Sequence, residues 1–525
     1  MKNNTKHKNN TKQSNEPLAF IKSGVVGLYI IFMLAVFVLY APEKYFFIGN
    51  HKIAFFENVT GAFLIISLIL FLLSLFNSLI SKEKIILNLS LPEIILLLYG
   101  GWNLVSFTFS FYRRGALFGY DGWRTGLFMQ LCVIAVFFAV KRWSTKKDLF
   151  IKIAVGVLIA ECLMVVLQRL GFDPFRFHSE FDYMEWNRRN LLGTIGNSNW
   201  LMGYEIIIIP LLVWLYLQAE KVYERIIWGI GNFIMISALF LQDSSSGIVA
   251  FSAILLFLVW IYAKDPAKLA RVLEIVCMIF LFWSILSIFH IKLLEPIEKD
   301  TTKYYSLLWL IPTSLLGAII ALLYIFIKKK GESLPKSFAV SLRVGMIVVF
   351  LLLCGGVIAI QFSDTLWAAL GSKQSLRISD TSGSSRILLW KQCLKYYLFE
   401  TELKDFILGF GPDSFGYWYA TKNIVIPSVG NPFVGGIYTN AHNDFLTTTV
   451  NLGIPGIIIY FCVFLSMAVN AGSAFFKKKE YTYAVLMLMV IIGYVVNNMF
   501  SFQTVCSTPL FFIIAGLLLP ESENN

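Results

Sequence analysis

Residues 58–80 read Asn58-Val59-Thr60-Gly61-Ala62-Phe63-Leu64-Ile65-Ile66-Ser67-Leu68-Ile69-Leu70-Phe71-Leu72-Leu73-Ser74-Leu75-Phe76-Asn77-Ser78-Leu79-Ile80, an apolar run without one charged side chain. An α-helix rises 1.5 Å per residue and needs about 20 such residues to cross a hydrocarbon core about 30 Å thick, so the run is read as a transmembrane helix. Working outward, comparable runs fall near residues 24–41, 92–109, 124–141, 150–170, 200–218, 226–242, 246–263, 272–293, 305–327, 339–362, 453–475, 482–500 and 504–520. With 58–80 they make fourteen, the last marginal in length. The composition agrees: 57% of the 525 residues are hydrophobic and 14% are charged, against roughly 25% charged in soluble domains. The expected fold is therefore an all-α polytopic membrane protein of about 14 transmembrane helices (12–14), with one large extracytoplasmic loop containing short helices.

The net charge is +12, but much of the positive charge sits in short loops between apolar runs, which is a topology signal and not a nucleic-acid footprint; no nucleic-acid partner is expected. A cytoplasmic N-terminus places Lys2 to Lys22, Lys141 to Lys147, Lys328 to Lys330 and Lys477 to Lys479 on the inner face, as the positive-inside rule asks. The chain then divides into a basic tail at 1–23, read as disordered, spans one to eleven at 24–362, an outer loop at 363–452, and the closing spans with the C-terminal tail at 453–525. The apolar stretch after the basic tail lacks a convincing small-residue cleavage site and is read as a retained first span. Six of the seven cysteines (Cys132, Cys162, Cys277, Cys354, Cys462 and Cys506) lie in apolar segments and only Cys393 in the loop, so neither a disulfide framework nor a zinc spacing is expected.

The long loop is where chemistry is sought. Its seven basic residues (Lys373, Arg377, Arg386, Lys391, Lys395, Lys404 and Lys422) stand outside despite the positive-inside rule, which long loops escape. Ser379 to Arg386 reads as a capped helix start, followed through Trp390 to Tyr397 by an amphipathic helix lying at the interface. Arg386 in its first turn has two open readings, a ligand for phosphate oxygens or a partner for a local carboxylate or headgroup. Further on, Tyr438-Thr439-Asn440-Ala441-His442-Asn443-Asp444-Phe445-Leu446 begins a short helix, interrupted by Asn451-Leu452-Gly453-Ile454-Pro455-Gly456. Of five histidines, only His442 lies in this loop. A neutral imidazole near its ordinary pKa of about 6.5 can accept a hydroxyl proton, and a structural histidine is the other reading.

Other outer loops hold Arg113, Arg114, Arg124, Arg176, Arg188 and Arg189. The last of these loops continues as Gly193-Thr194-Ile195-Gly196-Asn197-Ser198-Asn199-Trp200, whose glycines suit a close turn entering the membrane. Glu161 and Glu205 fall within spans, where a carboxylate is costly; a functional role and a neutral structural hydrogen bond are both open. Glu180-Phe181-Asp182 with Glu185 is a weak metal site, and Gly409-Phe410-Gly411-Pro412-Asp413 reads as a turn. Walker loops, dinucleotide fingerprints and zinc-protease motifs have no usable counterpart here.

Four stretches together resemble the bacterial O-antigen ligase and polymerase superfamily, which includes related O-oligosaccharyltransferases. They are Trp123-Arg124-Thr125-Gly126, Gly193 to Trp200, Ser385-Arg386 with Trp390 and Gly409-Phe410-Gly411, and Ala441 to Leu446 with Gly453-Ile454-Pro455-Gly456. The resemblance extends over about residues 90–520. It implies an inverting, metal-independent glycosyltransferase of the bacterial cytoplasmic membrane that needs no cofactor. Such an enzyme passes a glycan from undecaprenyl diphosphate to an acceptor lipid, protein or glycan on the outer face. It implies catalytic roles for His442 and Arg386, and substrate contacts are expected from Arg124, Arg188, Arg189, Asn199, Trp390 and Asn443. One departure stands out: where many members carry Ser-Arg-Gly, this chain reads Ser245-Ser246-Gly247, and Arg124, Arg188 or Arg189 is the expected substitute. A ligase and a polymerase of lipid-linked repeats differ only in acceptor. A transporter or flippase is the alternative of another class, favoured by intramembrane charge.

Overall fold

The structure, a computed structural model of the chain, describes residues 3–82, 88–120, 124–178, 191–242, 244–293, 307–330, 335–369, 377–380, 382–422, 438–477 and 481–520. Its helices are α1 (Asn3–Ile31), continued by a π-helical turn (Phe32–Val36) into α2 (Phe37–Leu39), then α3 (Ile48–Ile80), α4 (Leu91–Phe109), α5 (Arg113–Phe118), α6 (Leu127–Trp143) and α7 (Lys147–Arg169). A two-residue hairpin, β1 (Leu191–Leu192) against β2 (Gly196–Asn197), leads into α8 (Ser198–Gln218), α9 (Val222–Leu241), α10 (Ser245–Tyr262), α11 (Pro266–Leu293), α12 (Leu307–Lys330) and α13 (Lys336–Phe362). The long loop carries α14 (Asp364–Ala369), α15 (Ser382–Glu400), α16 (Leu403–Leu408) and α17 (Phe415–Thr421), and the chain closes with α18 (Asp444–Phe476), α19 (Tyr481–Asn498) and α20 (Thr508–Leu518).

Ten of the described helices are long and apolar enough to cross a membrane, and two more, at 482–498 and 508–518, are shorter and apolar. Among the described residues, length and hydropathy therefore support an all-α polytopic membrane protein with at least ten candidate spans. The span expected at 504–520 is the clearest difference. Helix α20 has eleven residues, which at 1.5 Å each extends only about 16 Å, and the stretch before it, 499–507, is not helical. Both are largely buried in protein, where backbone at membrane depth can leave the helical conformation because neighbouring groups satisfy it. Helix α1 begins at Asn3, inside the tail expected to be disordered.

Burial follows composition. Helix α8 is apolar on every face from Ile206 to Leu217, and it is the central helix, enclosed by α7, α9, α10, α19 and α20. Helix α13 is equally apolar but peripheral, with Leu351, Leu352 and Leu353 exposed as lipid-facing residues would be.

The buried carboxylates of the spans are held by hydrogen bonds. Glu161 accepts from the Thr194 backbone N–H at 2.9 Å and from its hydroxyl, locking the hairpin onto α7. Glu205 accepts from Gln242 and, at 3.7 Å, from the Cys162 thiol. Lys52, buried in α3, donates to the Phe37 and Val38 carbonyls at 2.7 and 2.8 Å and so caps α2.

The two ends of the bundle differ. At one end, Lys22 lies over Trp143, Ser23 meets Thr145 at 2.8 Å, and Trp214 donates to the Thr482 carbonyl at 3.1 Å. There too Lys141 and Arg142 pair with Glu93 at 3.1 and 2.6 Å, beside the capping box that Ser90 and Glu93 form at the start of α4. The hairpin, α5 and helices α15 to α17 gather at the opposite end.

Candidate active site

Gly409 (φ 72°) and Gly453 (φ 71°) let two stretches of backbone touch directly. A Cβ on Gly453 would collide with the Ile407 carbonyl, and one on Gly409 with the Asn451 carbonyl. Both residues have ψ near 180°, a combination that essentially only glycine adopts. Across this contact Phe410 N–H donates to the Val450 carbonyl at 3.1 Å and Gly411 N–H to the Asn451 carbonyl at 2.9 Å. Gly453 thereby breaks α18 two residues before Pro455. The carbonyls near the break are satisfied by one stripe of α4: Trp102 Nε1 donates to Leu452 at 2.8 Å and Ser106 Oγ to Asn451 at 3.1 Å. At the end of that stripe Ser110 Oγ donates to Phe410.

The short helical piece before the break presents the His442 loop. The Asn443 side-chain oxygen accepts from Leu446 N–H at 3.0 Å and caps α18. Thr447 Oγ1 accepts from Ala441 N–H at 3.0 Å, and Asn440 Oδ1 from His442 N–H at 2.9 Å. These bonds hold His442 at φ 48°, an unusual conformation for a residue with a side chain. Its ring stands edge-on to Phe502 at 5.3 Å and to Tyr438 at 6.4 Å.

Helix α15 supplies the cation. Arg386 Nη1 donates to the Phe500 carbonyl at 3.0 Å, two residues from the Phe502 ring that touches His442. Trp390, one turn on, donates from Nε1 to the Ala441 carbonyl at 2.8 Å and packs against Phe500. Burial pushes the His442 pKa down to about 4, and the Arg386 charge acts in the same direction. The imidazole is therefore neutral at neutral pH. Burial also lowers the Arg386 pKa, but a guanidinium stays protonated throughout the physiological range.

Beneath the His442 loop lies a small polar cavity of about 30 Å³, walled by Thr439, Asn440, Asp444, Asn451, Asp413 and Gln503 among others. A hydrogen-bonded chain runs past it. Asn498 Nδ2 and the Tyr460 hydroxyl donate to Asp444 at 3.3 and 2.6 Å, Gln503 Nε2 donates to the Tyr460 hydroxyl at 3.1 Å, and Gln130 Nε2 donates to Gln503 Oε1 at 2.8 Å and to the Thr125 carbonyl at 3.0 Å. Asp413 closes the far side by accepting from Tyr120 and Thr125 N–H at 2.9 and 3.0 Å. Burial pushes its carboxyl up to about 7.

His442, Arg386, Trp390 and Asn443 thus come together, with the Asn443 side-chain oxygen used as a helix cap. Arg124 lies beyond the Asp413 clamp, pairs with Glu57 at 3.0 Å, and faces a separate open cleft with Arg113 and Arg114. Asn199 sits in the first turn of α8 beside the hairpin, with its N–H donating to Asn197 Oδ1 at 2.9 Å. Arg188, Arg189 and the Glu180 to Glu185 stretch lie outside the described residues, as does Trp123. At Ser246 the side chain is buried and meets Ser244 at 3.2 Å, while Gly247 packs against Met202. Among the described residues no group of three or more His, Cys, Asp or Glu side chains is placed to hold a metal ion. The Phe500 to Gln503 segment and Asp413 were not singled out from the sequence. The polar residues Ser501 and Gln503 between the last two apolar runs, with Thr504 and Ser507 at the start of the last run, are the signal that could have found the former.

Residues 311–461 match the O-antigen ligase family model. That match supports placing the chain in the O-antigen ligase-related superfamily. The matched segment is narrower than the resemblance read over 90–520, and it contains Arg386, Trp390, His442 and Asn443 but not Arg124 or Asn199. It supports a lipid-linked glycan transferase of the O-antigen ligase and polymerase class, in a multi-pass membrane protein. No curated protein matches the chain.

Proposed function

We propose that this O-antigen ligase-like chain transfers a glycan from undecaprenyl diphosphate to an acceptor hydroxyl at the outer face of the bacterial cytoplasmic membrane, with His442 as general base. The observation that carries the reading is the neutral imidazole of His442 beside the Arg386 guanidinium, both anchored to the segment at Phe500 to Phe502 within a loop that belongs to the matched family. The acceptor O–H gives its proton to His442, and its oxygen attacks the anomeric carbon. The bond from that carbon to the diphosphate oxygen breaks, and undecaprenyl diphosphate leaves with the bonding pair. A single displacement inverts the anomeric configuration. Arg386, with one N–H held by Phe500, turns its remaining donors to the departing phosphate oxygens, for which a guanidinium fork is well shaped.

The low pKa of His442 suits this order of events. In the free enzyme burial, reinforced by the Arg386 charge, keeps the ring neutral and ready to accept a proton. Once diphosphate offsets the Arg386 charge, the imidazole becomes a stronger base at the moment it is needed. The ends of the bundle support the proposed orientation: the Lys141 to Lys147 cluster lies opposite His442, so His442 is outside when the basic end is cytoplasmic. Proton uptake by His442 and charge stabilisation by Arg386 require neither metal nor cofactor.

The experiment is the size distribution of lipid-linked and transferred glycan in cells lacking this protein, complemented with wild type or His442→Ala at equal abundance. Long lipid-linked chains without transferred product identify a ligase, and single lipid-linked repeats identify a polymerase. A wild-type pattern from His442→Ala removes His442 from catalysis.

A further inference from the structure

At the end of the bundle opposite His442, helices α9, α11 and α12 leave a recess of about 640 Å³. Four cationic side chains line it, Arg225, Lys264, Arg271 and Lys328, against two carboxylates, Asp265 and Glu274. Both carboxylates are engaged by the fold. Glu274 pairs with Arg225 and accepts from the Tyr216 hydroxyl at 2.5 Å, and Asp265 accepts from Lys268 N–H at 3.0 Å at the start of α11. Arg271 donates to the Leu217 carbonyl at 2.8 Å, capping α8. Lys328 donates to the Tyr324 hydroxyl at 3.0 Å, and both Lys264 and Lys328 are exposed at the rim.

This is a site with an apolar floor (Pro266, Ala270, Ile327), a braced wall and two exposed ammonium groups, carrying an excess of two positive charges. On either side the apolar residues Ile226 and Ile230 of α9, and Leu322 and Ile325 of α12, are exposed as lipid-facing residues would be. A cationic recess between helices at the membrane boundary is suited to a phosphate group whose apolar remainder can lie along those helices. Arg225 and Arg271 are fixed by protein acceptors and shape the wall; the two lysines are the point charges that meet the ligand.

We infer that this recess binds a phosphate group, supplied by an anionic phospholipid headgroup or by free phosphate. The site is remote from His442, and its occupancy does not depend on the proposed transfer reaction. The test uses full-length protein in detergent, wild type against a Lys264→Ala, Lys328→Ala double variant. Native mass spectrometry counts retained phosphatidylglycerol against phosphatidylethanolamine, and calorimetry follows inorganic phosphate in delipidated protein. Removing two boundary cations is expected to weaken anionic binding roughly tenfold to thirtyfold, with thermal stability unchanged because neither lysine braces the wall. Loss of phosphatidylglycerol alone assigns the site to lipid, and loss of inorganic phosphate binding assigns it to free phosphate. If the double variant retains both at wild-type levels, or if wild type binds neither, the inference is overturned.

Discussion

Trp390 donates its indole N–H to the carbonyl of Ala441 at 2.8 Å, so helix α15 holds the residue immediately before His442. One hydrogen bond therefore fixes the distance between the helix that carries Arg386 and the loop that carries the imidazole. Trp390→Phe keeps the ring and deletes the bond. The expected result is a fall in kcat of roughly tenfold or more, since small displacements of a positioned group are costly in rate, with protein abundance near wild type. A Trp390→Phe protein with unaltered kcat in reconstituted transfer would show that the bond does not position the base.

His442 and Arg386 are expected to fail differently. Removing the base in His442→Ala costs about 10²–10⁴-fold in rate, and removing a preorganised charge in Arg386→Ala about 10²–10³-fold. The pH dependence separates their roles. His442 has its pKa depressed to about 4 in the free protein, so the acid limb of kcat/KM, which reports the free enzyme, should begin only below about pH 5. In Arg386→Gln the repelling charge is gone and the limb should move up, while staying below about 6.5 because burial, the larger cause, remains. Arg386→Lys keeps a charge but not the fork, so its limb should stay low while its rate falls. An acid limb that is the same in Arg386→Gln and wild type would disconnect the two residues.

Much of this arrangement is readable from the residues alone, and the reason is physical. Apolar runs such as 58–80 announce helices because the lipid-facing and core-facing sides of a span are both apolar. The loop glycines announced turns, and the pairing of Gly409 with Gly453 was hidden because the contact is between two backbones 44 positions apart. Nothing in the local sequence of Arg124 indicates that Glu57 pairs with it. The non-helical stretch 504–507 falls within the apolar run expected at 504–520 because Val505 and Cys506 keep the average hydropathy high while the backbone there leaves the helix. Burial of polar backbone is a tertiary property, and no window of sequence reports it.

Gly453→Ala tests the backbone contact. Its Cβ would meet the Ile407 carbonyl, a backbone atom that cannot swing aside, and the left-handed conformation adds strain. Destabilisation of at least about 2–3 kcal/mol is expected, seen as a lower melting temperature of purified protein and reduced abundance in the membrane. Gly472→Ala, in the same helix with open space around its Cα, is the control and should be close to neutral or slightly stabilising. Equal melting temperatures for the two variants would mean that the contact between residues 407–411 and 450–453 is not tight.

Asp413 offers a measurement of stability against pH. Burial raises its folded pKa to about 7, well above the roughly 3.9 of an unfolded aspartate. Between those values the folded protein holds a proton that the unfolded chain does not, so this group favours folding most below about pH 4, and its contribution is lost as pH rises through 7. Asp413→Asn keeps an acceptor for the Tyr120 and Thr125 N–H groups and cannot ionise, so its melting temperature should vary less between pH 5 and pH 8 than that of wild type. Asp413→Ala should be worse at every pH. It leaves two buried N–H groups without their acceptor, each at about 1–3 kcal/mol, and releases Tyr120 and Thr125 from the wall of the polar cavity. If Asp413→Asn and wild type show the same difference in melting temperature between pH 5 and pH 8, the carboxyl is not the titrating group. If Asp413→Ala melts with wild type, the clamp carries no stability.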